Sequence, residues 1–134
     1  MRSAVVRRRE GYEHELEIRE HRLIVDEIEE DGGGDSGPRP TELLAGALAS
    51  CTAITIEMYA NRKGWELGQL EVAVEFETPT KERRGNFETR IRIPVDLTDE
   101  QREKLLVIAG KCPVHRTLAA QDIEISDEIE MLPS

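Results

Sequence analysis

Aromatic side chains are scarce in this chain: two Phe, two Tyr and one Trp among 134 residues. A core here has to come mainly from Leu, Ile, Val and Ala, without the large area that aromatic rings bury. Cysteine is scarcer, with only Cys51 and Cys112, 61 positions apart. A secreted domain stapled by disulfides carries more cysteines in a shorter chain, so that class is set aside. Two isolated cysteines are too few for a self-contained zinc site. The histidines His14, His21 and His115 form no close pair and no HExxH segment, so neither a metal nor another cofactor is expected. No apolar run approaches the ~18 residues of a membrane-spanning helix. The first ten residues, MRSAVVRRRE, contain no apolar h-region, so the expected address is the cytoplasm. Positive charge is also in the minority, 18 Lys and Arg against 28 Asp and Glu, for a net charge of −10. Such a chain repels phosphate backbones, which argues against nucleic acid as a partner. The lone basic triplet, Arg7 to Arg9, reads as a solvated strand edge.

What is present reads as one α+β domain over residues 1–134. The N-terminal third alternates with period two. Ala4 and Val6, then Leu16 and Ile18, then Leu23 and Val25 mark three half-buried antiparallel strands. The segment DGGGDSGPRP, residues 31–40, reads as a flexible loop; it lacks the Gly-Lys-Ser/Thr ending of a phosphate-binding loop.

A long helix is predicted over Pro40–Lys63. Pro40 suits the first helical position, Glu42 the first turn, Arg62 and Lys63 the last turn, and Gly64 the stop. A helical wheel places Leu44, Ala47, Leu48, Cys51, Ile54, Thr55 and Met58 on one stripe, with Cys51 near its centre. Ile56 and Leu43 widen the apolar surface, so the helix is expected in a centre or an interface. Two long strands follow, Leu70 to Glu77 and Phe87 to Val95, with acidic and basic outward faces suited to cross-strand charge pairs. Thr98 and Gln101 form a capping box for a helix ending near Gly110. A short helix starts at Cys112-Pro113, and Ile123, Ile125 and Ile129 predict a final strand. Strands and helices in segregated runs indicate α+β architecture.

The two thiols are the candidates for chemistry. Pro113 at a first helical position makes Cys112 the N-cap, where unpaired N–H groups favour a thiolate, and Lys111 adds positive charge. The bland alternative is a cysteine that fills the cap. Cys51 sits mid-helix, where the dipole helps little, and by itself reads as a small buried hydrophobe. His115 lies three residues after Cys112, within reach of a Cys–His pair if the side chains meet. Inert thiols and a redox pair both remain open at this level.

Two segments carry a resemblance. PTELLAGALASCTAITIEMYANRKG, residues 40–64, resembles the central helix of the OsmC/Ohr (organic hydroperoxide reductase) family, and KCPVHRTLA, residues 111–119, resembles its second-cysteine motif. The order of elements is similar along nearly the whole chain. The resemblance implies an intertwined homodimer with the long helices at its centre. It implies Cys51 as the thiol attacking a small organic hydroperoxide, Cys112 as the resolving thiol, and a dithiol such as dihydrolipoamide as reductant.

There is one departure. The peroxidase branches place a glutamate ten residues before the first cysteine, where this chain has Thr41. Glu42 stands nine residues before Cys51, on about the opposite side of a regular helix at ~100° per residue, as an N-terminal charge would. Arg22 and Arg39 are the candidates for the arginine that supports Cys51. The rival reading on the same scaffold is a non-enzymatic redox sensor or hydrophobic-ligand module.

Overall fold

Residues 3–132 are described by the structure, a computed structural model. Three strands come first: β1 (Val5–Glu10), β2 (Glu13–Ile18) and β3 (His21–Val25), forming an antiparallel sheet in the order β1-β2-β3. Charge fixes much of its register. Val6 lies opposite Leu16, and Leu16 opposite Leu23. Arg7 reaches Glu17 at 3.0 Å, Arg9 reaches Glu13 at 3.3 Å, and Arg22 reaches Glu15 at 2.7 Å. The basic triplet is thus a solvated edge in which Arg7 and Arg9 are paired with glutamates and Arg8 donates to the Gly11 carbonyl.

The glycine-rich segment is a stapled loop, not the flexible one expected. A single 3-10 turn, Glu29–Asp31, opens it. The buried Asp26 carboxylate accepts N–H groups from Glu27, Gly34 and Ser36 at 2.7, 3.2 and 3.1 Å, and the Ser36 hydroxyl at 2.8 Å. Gly33 and Gly37 pack so close to the carbonyls of Glu27 and Ile24 that a Cβ at either would collide with backbone. These glycines permit close approach between chain segments, which a count of Gly in a loop does not reveal.

The long helix α1 (Pro40–Lys63) has the expected bounds, and Gly64 ends it in the left-handed region at φ 72°. By length and composition it is long and apolar enough to cross a membrane, which corrects the expectation that no stretch approaches that length: its Ala, Gly, Ser and Thr residues interrupt the apolar run without adding charge. Here its place is against a hairpin and two short helices. Its buried row is Ala45, Leu48, Thr52, Ile56 and Ala60. That row corrects the expected stripe: Leu48 is buried, but Leu44, Ile54 and Met58 are exposed. The wheel identifies an apolar surface wider than one chain covers, and the neighbours in that chain choose the adjacent face.

Strands β4 (Glu71–Glu77) and β5 (Asn86–Arg92) form the hairpin. Arg92 meets Glu71 at 2.7 Å as the outward charges predict, but Glu75 faces Glu88 and Arg90 faces Ala73. The expected charge ladder is therefore a single ion pair among the described residues, because the register sets Arg90 against Ala73 and Glu75 against Glu88. Phe76 and Phe87 stack across the pair at 5.9 Å between centroids. Helix α2 (Asp99–Ala109) carries the Thr98–Gln101 capping box, with reciprocal bonds of 3.1 and 3.0 Å. Ile56, Ala60, Leu67, Leu105 and Ile108 form the core between α1 and α2, with Ile91 and Ile93 of the hairpin region packed against it.

The final strand does not form in the single chain. After α3 (Pro113–Ala119) the described residues have no regular structure, and Ile125 and Ile129 are 84% and 88% exposed. A period-two segment becomes a strand only when it pairs with another, and within one chain this segment pairs with none of the sheet edges.

Candidate thiol site

Cys51 and Cys112 are joined as a disulfide, with their Cα atoms 5.9 Å apart. That spacing lies within the roughly 7 Å limit for such a bond. α1 supplies Cys51 from its middle and α3 supplies Cys112 from its N-cap, so packing of the short helix on the long one closes a loop of sequence separation 61. The two sulfurs differ in surroundings. Cys112 is fully buried, whereas Cys51 is only partly covered.

Pro113 occupies the first turn of α3, and the His115 backbone N–H donates to Cys112 Sγ at 3.4 Å. The main chain makes this contact, not the imidazole that a Cys–His pair would use. A sulfur that receives an N–H is better able to carry negative charge as the leaving or attacking thiolate. Beside the pair runs a groove of about 240 Å³ lined by Leu48, Phe87, His115 and Leu118. Leu48 lies one turn before Cys51 and His115 one turn after Cys112, so the groove is near both cysteines, and Asn86 and Thr89 make its walls part polar.

The supporting residues expected from sequence stand elsewhere. Glu42 Oε1 accepts the Arg39 N–H at 2.8 Å and so caps α1, as its place in the first turn predicts. Arg39 binds Glu27 at 2.9 Å and Asp31 at 3.0 Å. The hydrogen bond to Glu27, with the charges of Glu27, Asp31 and Glu42, raises its pKa further. It lies about 18 Å along the helix axis from Cys51, at ~1.5 Å per residue. Arg22 is held on the three-stranded sheet by Glu15 and Glu17. Neither arginine is directed to the disulfide within one chain, because each has carboxylate neighbours that spacing in the sequence does not disclose. Among the described residues no group of three or more His, Cys, Asp or Glu could hold a metal ion.

The family model for OsmC-like proteins matches residues 32–126, well over half of the chain. The chain belongs to the OsmC-like family. Its fold agrees. An osmotic stress induced and detoxification response protein, so described, from Psychrobacter arcticus superposes with a TM-score of 0.78 at 22% identity, over 87% of this chain and 88% of that one. An organic hydroperoxide resistance protein OsmC from Legionella pneumophila gives 0.66 at 21% identity, covering 89% of both chains. An OsmC like protein from Mycoplasma pneumoniae gives 0.71 at 18% identity, over 90% and 89%. No curated protein matches the chain. At these identities the solved structures establish the α+β fold with its long helix and antiparallel sheets, while the family match establishes membership.

Proposed function

We propose that this chain is a thiol-dependent reductase of organic hydroperoxides, a single OsmC-like domain over residues 1–134 that acts as a homodimer. The observation that carries the proposal is the Cys51–Cys112 disulfide, formed between the two family motifs across 61 residues. The Cys51 thiolate attacks the terminal oxygen of the hydroperoxide. The O–O bond breaks, Sγ becomes a sulfenic acid, and the alkoxide takes a proton and leaves as the alcohol. Cys112 then attacks Cys51 Sγ, the hydroxyl leaves as water after taking a proton, and the disulfide forms. A dithiol such as dihydrolipoamide returns two electrons by two exchanges and is itself oxidised to a disulfide. A reducing cytoplasm is the setting this cycle requires.

The unequal burial of the sulfurs supports this division of labour. Within one chain Cys51 is the more accessible sulfur, and Leu48, Phe87 and Leu118 of the nearby groove offer apolar contacts to a hydrocarbon tail. The homodimer reading rests on exposed apolar surface. Leu44, Ala47, Cys51, Ile54 and Met58 repeat at alternating three- and four-residue steps, the spacing of a helix–helix seam. Interfaces that complete a fold are large and apolar.

A second reading, a non-enzymatic redox sensor or hydrophobic-ligand module, is favoured by the ion pairs that hold Arg22 and Arg39 away from the thiols. Consumption of cumene hydroperoxide with dihydrolipoamide separates the two. Steady turnover is expected from the wild type. Cys51→Ser should consume no peroxide even in a single turnover, whereas Cys112→Ser should consume about one equivalent and stop at the sulfenic acid. A wild type that stops at one equivalent despite reductant identifies the sensor. Activity in Cys51→Ser without activity in Cys112→Ser reverses the two roles.

A further inference from the structure

The opposite end of α1 holds a different kind of chemistry. Tyr59 lies eight residues beyond Cys51, about 12 Å along the axis at ~1.5 Å per residue. Its ring meets Trp65 edge to face, with centroids 5.6 Å apart. Two of the five aromatic residues in the chain therefore meet here. Three cations surround the same tyrosine: Lys63 Nζ and Lys104 Nζ each lie 5.7 Å from the ring centroid, and Arg62 Cζ lies 5.9 Å away. Among the described residues none of these three is in an ion pair, although the chain carries 28 Asp and Glu. Contact with an exposed aromatic face is worth only about 0.5–1 kcal/mol per cation, so an anion can recruit these groups.

A groove of about 700 Å³ opens at this point, with Tyr59, Lys63, Trp65, Thr98, Gln101 and Lys104 in its lining. That volume falls in the ~300–1,000 Å³ range of small-molecule sites. The capping box engages Thr98 Oγ1 and Gln101 Oε1 as acceptors, so the Thr98 hydroxyl hydrogen and the Gln101 amide N–H groups remain as donors. With two ammonium groups and the Trp65 indole N–H, the lining is rich in donors. Glu100 and Glu103 also line the groove, and their repulsion disfavours a ligand with charge spread over several groups.

We propose that this groove is a second ligand site, separate from the thiols, which takes a small molecule bearing one planar aromatic ring and one anionic group. The anion, carboxylate or phosphate, bridges Lys63 and Lys104, and the ring packs on Trp65. The Trp65 indole supplies a flat apolar face that a free phosphate does not use. The two lysines supply charge that a neutral arene does not use.

Trp65 is the single tryptophan, so its fluorescence reports directly on this groove. The full chain is titrated with phenyl phosphate, inorganic phosphate and phenol in parallel. Phenyl phosphate should change Trp65 emission saturably, with a Kd at least about tenfold below those of the other two. Combined Lys63→Gln and Lys104→Gln, both at exposed positions, should raise that Kd by about tenfold or more with an unchanged circular dichroism spectrum. Glu103→Gln should tighten it. The proposal is overturned if phenyl phosphate gives no saturable change up to about 10 mM. Equal affinity for inorganic phosphate removes the aromatic requirement and also overturns it. An unchanged Kd in the double lysine variant does the same.

Discussion

The N-terminal sheet and the central part of the chain treat apolar side chains in opposite ways. From α1 through α2 they converge: Ile56 is fully buried, and Ala60, Leu67, Leu105 and Ile108 close around it. In the N-terminal sheet most of them stay exposed, with Val6 55% and Leu23 48% exposed, and only Val25 is buried. That sheet nevertheless has a defined register, because Arg7, Arg9 and Arg22 pair with Glu17, Glu13 and Glu15. Exposed ion pairs are each worth only ~0–1 kcal/mol, enough to choose a register but little toward holding a sheet alone. A three-stranded sheet needs an apolar face covered to stand independently. The contrast teaches that burial and pairing are separate requirements, and that one chain meets both only in its central part.

The sharpest break of this contrast is at Ile56. Ile56→Ala removes a fully buried side chain from the middle of the core, and should cost roughly 2–5 kcal/mol in urea denaturation. A cost below about 1 kcal/mol would mean that the core does not depend on α1 as described.

The next test concerns the uncovered side. Ile54 is 52% exposed and lies one turn beyond Cys51 on the seam-like stripe. An exposed surface substitution usually shifts stability by about ±0.5 kcal/mol, whereas a charge placed in a buried interface is far more damaging. In the homodimer reading Ile54→Glu should convert a dimer into monomer or unfolded chain, measured by light scattering at micromolar concentration. A wild type that is already a folded monomer, or a variant that remains dimeric, removes α1 from the interface.

Much of the fold was legible because its signals are local. Pro40, Gly64, the Thr98–Gln101 box and the Cys112-Pro113 step each act within a turn of the helix end they mark, and period two exposed β1 to β5. The cysteine pair was legible only through the resemblance of two distant motifs, since nothing local relates Cys51 to Cys112. What did not show depends on contacts far apart in the chain. The face that α1 buries is chosen by the hairpin and α2, and Ile123, Ile125 and Ile129 pair with no strand in one chain. The engagement of Arg39 with Glu27 and Asp31 depends on a loop whose path the glycines permit but do not announce. The Tyr59–Trp65 groove needed α2 brought beside α1, although Tyr59, Arg62, Lys63 and Trp65 already sit together in sequence.

The smallest expected effect lies in the loop that joins the two regions. Asp26 ties residues 27, 34 and 36 together, with the Glu27 N–H as the largest influence and the Ser36 hydroxyl next, and these bonds hold its carboxyl below the usual carboxylate range. A carboxylate whose folded pKa is depressed contributes stability that is present above its unfolded value of ~3.9 and is lost as pH falls through the folded value. Asp26→Asn retains one oxygen acceptor but places an N–H2 donor where the native group accepts from N–H donors. At neutral pH its Gly34 and Ser36 amides should exchange with solvent faster than in the wild type, while Ile56 and Ile108 amides in the core remain equally protected. As pH falls below the ordinary carboxylate range, protonation removes the charge from native Asp26 and the protection of the two proteins should converge. Hydrogen exchange read as opening equilibria at several pH values separates this effect from the intrinsic pH dependence of exchange. If the variant and wild type protect Gly34 and Ser36 equally at neutral pH, the staple is not what orders the loop, and the joint between sheet and helix must be held by Arg39 with Glu27 and Asp31 instead.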